Sequence, residues 1–550
     1  MSADSIADLF RRLEKLNDIG AALSHERDIK RLLEIILVAA KTITHADGGT
    51  LYLIEGEAKD GEERRSLRFE ILQNDKLGIK LGGTSGNPIT FPNLPLSIDG
   101  RPNTAMVAAY AALEDETVNI RDAYTAEGFD FSGTRKFDER TGYRSQSFLT
   151  VPMKNHEKRV IGVLQLINCL DPASGAVVPF SAADQSLAES LASQAAIALS
   201  NRQLISQLEE LFVSFIDMIN QAIDEKSPYT AGHCRRVPVL TMMLAEAVND
   251  TRDGPLAEFT MSEADRKELE IAGLLHDCGK VTTPVHVVDK ATKLQTIYDR
   301  IQTIDTRFEV LKRDAEIAML KRQLALAGQR DGAAEAALQR DFEAQRSQLE
   351  DDCEFLRRTN VGGEFMKDAA LQRVQTIGRG YRWRDAEGQE ADFLSAEEIE
   401  NLSIRAGTLT QAERGIINHH IVATNKMLDK LPWPQHLTNV PEYAGGHHER
   451  MDGKGYPKGL TREQMSVQAR IMGIADIFEA LTARDRPYKN GKTLSESLTI
   501  LGKMKEDQHV DPDLFDIFIR SKVYLKYAEE HLEPQQIDAV DHARLPGYTP

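Results

Sequence analysis

At 550 residues the chain is longer than one hydrophobic core fills, since single cores stop growing near roughly 250–300 residues, so two or more domains are expected. A net charge of −18 and a pI near 5.4 exclude broad binding to nucleic-acid polymers or anionic membranes, which needs a basic face. No run approaches the roughly 18 apolar residues of a membrane span, the start MSADSIADLF has no leader pattern, and four scattered cysteines (Cys169, Cys234, Cys278, Cys353) fit neither a zinc site nor a disulfide framework, so a cytoplasmic protein is expected.

In chain order, residues 6–45 read as helix. Leu13, Leu16, Ile19 and Leu23 recur at three- and four-residue spacings, and Ile29, Leu33, Ile36 and Ala40 resume the pattern after a polar break at 24–27. Short β-rich runs follow at 50–54, 67–72, 147–152 and 160–168, and a helix from about 182 to 201 closes an α/β domain. The segments Val118-Asn-Ile-Arg-Asp122-Ala-Tyr124, Phe137-Asp138, Thr141-Gly-Tyr143-Arg144 and Phe148-Leu-Thr-Val-Pro152 then become specific. The order resembles a GAF domain, a ligand-binding sensor module, of the kind joined to cyclic-nucleotide phosphodiesterases. That resemblance implies a small-molecule or nucleotide site at Asp122, Asn168, Phe180 and Asp184, although Cys169 and Gln185 depart from the Asn-Lys and Asp-Glu parts of its signature.

Helical spacing continues past the domain edge. Leu208, Phe212, Phe215, Ile219 and Ala222 fall four, three, four and three apart, which marks one seam of a coiled coil or an ordinary core helix. Beyond it the chain reads as almost wholly helical. Residues 301–326 and 333–358, rich in Ala, Leu, Glu, Arg and Gln, predict an antiparallel helical hairpin, and Ser395-x-x-Glu398 and Thr410-x-x-Glu413 are capping boxes that each open a helix.

Two clusters mix metal-ligand side chains with turn-formers: His276-Asp277-Cys278-Gly279-Lys280, and His447-His448-Glu449-Arg450-Met451-Asp452-Gly453-Lys454-Gly455-Tyr456-Pro457. Together they resemble the HD-GYP branch of the HD-domain phosphohydrolases. His233 before Arg236-Val237, His420, Asp476 and then Arg486-Pro487-Tyr488-Lys489 follow the order of that family, with residues 295–405 as an insertion. The fold expected is thus α+β and multidomain: a GAF sensor over 1–200, a connecting signalling helix over 201–225, and an all-α HD-GYP domain over 226–550 with a long helical insertion.

The resemblance implies hydrolysis of a cyclic dinucleotide, cyclic di-GMP first and cyclic GMP-AMP as the alternative, to the linear dinucleotide or GMP. A non-catalytic nucleotide-sensing scaffold is the reading from another class. Phosphodiester hydrolysis near neutral pH needs a strong nucleophile and neutralised phosphoryl oxygens, which a pair of metals supplies. Histidine and carboxylate ligands without thiolate point to two divalent ions, iron or manganese. By resemblance one ion takes His233, His276, Asp277 and Asp476, and the other His420, His447 and His448, with Asp277 bridging. The position of a third-metal carboxylate in some members is here Tyr229, and the family's spacing from its ligand His to a leucine eight residues on matches His420 to Leu428, which favours His420 over His419. Lys280, Arg486 and Lys489 would bind substrate, with Lys280 near the reacting phosphate. Gly453, Gly455 and Tyr456 would shape the loop, and Glu449 and Asp452 would orient imidazoles. A homodimer is expected.

Overall fold

A computed structural model describes residues 3–26, 28–56, 58–59, 62–63, 65–227, 232–326, 332–363, 365–385, 387–484 and 491–549. The chain divides into two units, Met1–Phe212 and Val213–Pro550. No helix among the described residues is long and apolar enough to cross a membrane.

In the first unit, helices α1 (Ala3–His25) and α2 (Ile29–Thr44) precede an antiparallel sheet. Asp28 caps α2 by accepting the Arg31 amide at 2.8 Å, and His45 ends it at φ 54°. Six strands make the main path: β1 (Ala46–Glu55), β2 (Ser66–Asn74), β3 (Ile79–Gly82), β4 (Val118–Ile120), β5 (Phe148–Lys154) and β6 (Val160–Leu170), in the order β3-β2-β1-β6-β5-β4. One core joins Leu33, Ile36 and Leu37 of α2 to Leu51, Val151 and Leu164 of the sheet and to Leu187, Leu191 and Ala195 of helix α3 (Ala182–Lys226). The short helix Val107–Glu114 was not foreseen, because five of its eight residues are buried and an all-round apolar segment carries no amphipathic period.

The four residues expected to form a ligand site in this unit each have a partner within the fold. Asn168, in the left-handed region at φ 59°, accepts the amides of Gln146 (2.7 Å) and Ser147 (3.2 Å) and donates to the Arg144 carbonyl (2.8 Å). Asp184 caps the start of α3 by accepting the amide and hydroxyl of Ser181, and it pairs with Arg12. Phe180 lies in the apolar core, and Asp122 accepts the Tyr124 amide at 2.9 Å. In this structure the hydrogen bonds of Asp122, Asn168 and Asp184 go to neighbouring protein groups.

The predicted seam on α3 also shifts. Phe212 and Ile219 are half-buried, and the exposed apolar stripe is Leu204, Leu208, Leu211, Phe215 and Met218, again four and three apart. The helix is apolar on two faces, with Ile216 and Ile223 buried, so spacing alone offers two registers.

The second unit is built from helices α4 (His233–Asn249), α5 (Glu263–Leu275), α6 (Ile301–Leu326), α7 (Gly332–Asn360), α8 (Gln411–Leu428), α9 (Val440–Gly445) and α10 (Val467–Thr482), with shorter pieces between them. α4 packs on α5 and α10, α9 touches α5, α8 and α10, and α8 lies against the 3₁₀ turn Cys278–Thr282. The two predicted capping boxes form at Ser395 and Thr410. α6 and α7 pair as a hairpin, and residues 327–331 between them lie outside the described residues. At its base Ile304, Phe308, Leu349 and Leu356 share a core with Val374, Ile377, Phe393 and Leu402, so the insertion carries its own hydrophobic centre. A two-stranded hairpin, Arg382–Arg384 with Glu390–Asp392, was not foreseen within it.

Beside that core Lys293 is only 3% exposed, and its ammonium reaches the Leu402 carbonyl at 3.3 Å and the Met366 sulfur at 3.8 Å. Burial pushes its pKa down to about 8. The unfolded chain then holds the proton more tightly, so the penalty on folding is complete below the folded value and fades as pH rises toward the ordinary lysine value. Lys293→Met is expected to stabilise the protein by about 1–3 kcal/mol at neutral pH, with the gain shrinking above pH ~8. Denaturant unfolding of both proteins across that range checks the size and the sign.

Candidate metal centre

Each functional side chain is delivered by a helix end or a turn. Gly232, at φ 91°, turns the chain into α4 so that His233 is its first residue. His276 ends α5, and Asp277 leads into the 3₁₀ turn that holds Lys280. α8 brings His420, the loop after α9 brings His447 and His448, and α10 brings Asp476. His420 is buried whereas His419 is exposed, so the helix aims only one of the adjacent pair inward.

Three of the imidazoles share one local device. The Nδ1 of His276, His420 and His447 each faces the carbonyl three residues earlier, on Gly273 (2.7 Å), Ile417 (2.6 Å) and Ala444 (2.7 Å). A nitrogen facing a carbonyl must carry the proton, which leaves each Nε2 with a lone pair directed at the centre. The Nε2 atoms of His276 and His447 are buried without a hydrogen-bond partner, and those of His420 and His448 lie 3.2 Å apart. Orphaned buried nitrogens cost about 1–3 kcal/mol each. A cation that accepts their lone pairs removes that cost.

Asp277 stands between the two groups. Its Oδ1 is 3.3 Å from His420 Nε2, while its Oδ2 is 3.3 Å from His233 Nε2, 3.2 Å from His276 Nε2 and 2.6 Å from Lys280 Nζ. Asp476 Oδ1 is 3.1 Å from His233 Nε2. The donor atoms fall into two sets, His233 with His276 and Asp277, and His420 with His447 and His448, each within 4.8 Å. Burial would raise the Asp277 carboxyl, but Lys280, His276 and His233 hold it well below the usual carboxylate range. Burial pushes the His447 pKa far below its ordinary value, helped by His448 and His276, and lowers that of His448 to about 4, helped by His420. An ionised Asp277 beside neutral His447 and His448 is the protonation pattern that metal binding requires, whereas at His233 burial is outweighed by the carboxylates of Asp277, Asp476 and Glu479, which raise its pKa.

The loop of the second cluster serves the site indirectly. Tyr456 stacks on His448 with ring centroids 4.8 Å apart. A Cβ on Gly455 would lie 2.4 Å from the Arg450 amide nitrogen, and Gly453 sits at φ 75°, so both glycines are sterically required. Glu449 accepts the amides of Lys458 (2.7 Å) and Leu460 (2.9 Å), and Asp452 binds Arg450 and the Lys454 amide. These two carboxylates fold the loop and do not orient imidazoles, which corrects the expectation from sequence. Glu479, which sequence reasoning missed, takes that part. It is fully buried, its carboxylate meets His233 Nδ1, and it accepts Arg236 Nε at 2.6 Å. Its signal was its place three residues after Asp476, on the same face of α10. Arg486, Lys489 and Tyr229 lie outside the described residues.

A helical domain that gathers His and Asp side chains around two nitrogen-rich pockets is a metal-dependent site by construction. Family comparison agrees: residues 28–199 match the GAF domain, and 230–352 and 396–514 match the HD domain. The chain carries a GAF domain followed by an HD domain.

Among curated relatives, a cyclic di-GMP phosphodiesterase of Pseudomonas aeruginosa is 36% identical over 117 residues, 21% of this chain and 27% of the relative. The 3′3′-cGAMP-specific phosphodiesterase 1 of Vibrio cholerae is 34% identical over 122 residues, 22% of this chain and 27% of the relative. A cGMP-specific 3′,5′-cyclic phosphodiesterase of Drosophila ananassae is 30% identical over 173 residues, 30% of this chain and 14% of the relative. The chain thus spans about a quarter of the length of the first two and less of the third.

Proposed function

We propose that this chain is a metal-dependent phosphodiesterase that hydrolyses a cyclic dinucleotide, cyclic di-GMP, to the linear dinucleotide or GMP. The observation that carries the reading is the convergence of five imidazole Nε2 atoms and a two-sided carboxylate beside a cavity that His233, His420, His448, Asp277 and Lys280 line. His233, His276, Asp277 and Asp476 would hold one divalent ion, and His420, His447 and His448 a second, with iron and manganese suited to this thiolate-free set. Such a pair supplies charge neutralisation and a nucleophile at neutral pH. The protein's own share is to fix the tautomers through the three carbonyls, to keep Asp277 ionised, and to place the Lys280 ammonium beside an incoming phosphate.

Turnover of cyclic di-GMP by the purified chain loaded with manganese or ferrous iron tests the reading. Preference for 3′3′-cGAMP, the substrate in the printed name of the Vibrio relative, is the specific alternative, and no turnover of either would leave a binding module.

Control by the GAF domain would pass through α3. Near its end the Lys226 ammonium donates to the Lys280 carbonyl (3.4 Å) and to the Val281 carbonyl, and Ser227 donates to Asp289, which lines the cavity. The exposed stripe from Leu204 to Met218 has the spacing of a two-stranded coiled coil, so a second copy of the chain is its occupant in a cytoplasmic homodimer. Leu211→Glu with Phe215→Glu places charges on that stripe and is expected to weaken dimerisation by about 100-fold or more. Sedimentation checks this, and a wild-type chain that stays monomeric at tens of micromolar would end the idea.

A further inference from the structure

The cavity over the metal centre has a volume of about 920 Å³, and part of its lining comes from outside the residues that match the HD domain. Val361, Gly362 and Gly363, where the insertion returns from α7, line it together with Gly407, Thr408 and Leu409. This wall is pinned in place. The buried Asn360 accepts the Lys293 amide on its carbonyl (2.9 Å) and the Leu294 amide on its side chain (2.8 Å), and it donates to Asp299 at 3.0 and 2.9 Å. Two residues on, Gly362 sits at φ 66°, so close to its neighbours that a Cβ would lie 2.8 Å from Thr408 Cγ2 and 3.1 Å from the Gly407 carbonyl oxygen.

The six residues offer aliphatic groups and bare peptide planes, with no charge. Charged partners for phosphate stand elsewhere in the same cavity, at the His–Asp cluster and Lys280. Glycine lets a flat ligand approach the backbone closely, and an uncharged surface takes the uncharged part of a nucleotide. We propose that Val361, Gly362 and Gly363 of the insertion, together with Gly407, Thr408 and Leu409, form a nucleobase-binding wall in the metal-centred cavity that selects the substrate by its base. The inference rests on the phosphodiesterase reading for its substrate.

Gly363 makes the test clean, because a Cβ added there meets nothing within 4 Å and its backbone is not left-handed. Gly363→Phe should therefore fold and keep its metal while filling the space at the wall. In the full metal-loaded chain, the ratio of kcat/KM for cyclic di-GMP to that for bis(4-nitrophenyl) phosphate, a small diester without a purine, is expected to fall at least about 10-fold through KM. Inhibition of small-diester turnover by GMP should weaken by a similar factor. An unchanged ratio and unchanged GMP inhibition, or equal losses on both diesters, would overturn the wall. If the wild-type chain hydrolysed the small diester and no cyclic dinucleotide, the cyclic-dinucleotide reading would fall, and the GMP arm would still decide the wall.

Discussion

Asp277→Ala is expected to abolish turnover, by on the order of 10³-fold or more, and to lose most of the bound metal, whereas Lys280→Ala should lose rate and keep its metal. The difference follows from geometry. Asp277 sends one oxygen toward His420 and the other toward His233 and His276, so it lies within 3.3 Å of both nitrogen sets. Without it, the buried imidazoles would face one another with no negative charge to offset a cation. Lys280 instead contacts only Asp277 among these groups and lines the cavity, so its loss removes a phosphate partner and leaves the ligand set intact. Metal analysis beside a turnover assay distinguishes the two variants. An Asp277 variant that retained two ions per chain would show that the two nitrogen sets stand independently.

What was legible in the sequence is what lies close together along it. His276-Asp277 and His447-His448 announce themselves because adjacent ligand residues beside glycines are an unusual mixture, and the capping boxes at Ser395 and Thr410 are complete within four residues. The role of Glu479 was not legible, since a glutamate on a helix reads as a solvated face until the fold sets it against His233. The same limit explains Glu449 and Asp452. Their proximity in sequence to His448 suggested contact, yet a turn built on Gly453 and Gly455 directs them into the loop's own amides. In the first unit Asn168 and Asp184 were assigned by resemblance, and polar residues at strand ends and helix starts more often satisfy backbone than ligand.

Gly279→Ala should damage the site through the backbone without removing any ligand. A Cβ there would lie 2.0 Å from the His420 carbonyl oxygen, 2.6 Å from the Thr424 amide nitrogen and 2.7 Å from the Thr424 hydroxyl. Two of these three atoms belong to the main chain of α8, which cannot swing aside as a flexible side chain would. The Gly279 amide also donates to the Thr424 hydroxyl at 2.9 Å, and that hydroxyl donates to the His276 carbonyl at 3.3 Å. One methyl group would therefore push the turn bearing Asp277 and Lys280 away from the helix bearing His420 and break this chain of hydrogen bonds. Overpacking a tight site costs about 1–3 kcal/mol, and a clash with backbone belongs at the upper end. The expected result is a folded but destabilised protein with less bound metal and turnover reduced by about 100-fold or more, because separating Asp277 from His420 splits the two ligand sets. Thr424→Val, which keeps the shape and removes the hydroxyl, separates the steric effect from the hydrogen bonds and should cost only about 1–2 kcal/mol. Denaturant unfolding with metal analysis decides between them. A Gly279→Ala protein as stable as the wild type and holding as much metal would mean that α8 and the turn can part without loss, and the close approach would then not be what aligns Asp277 with His420.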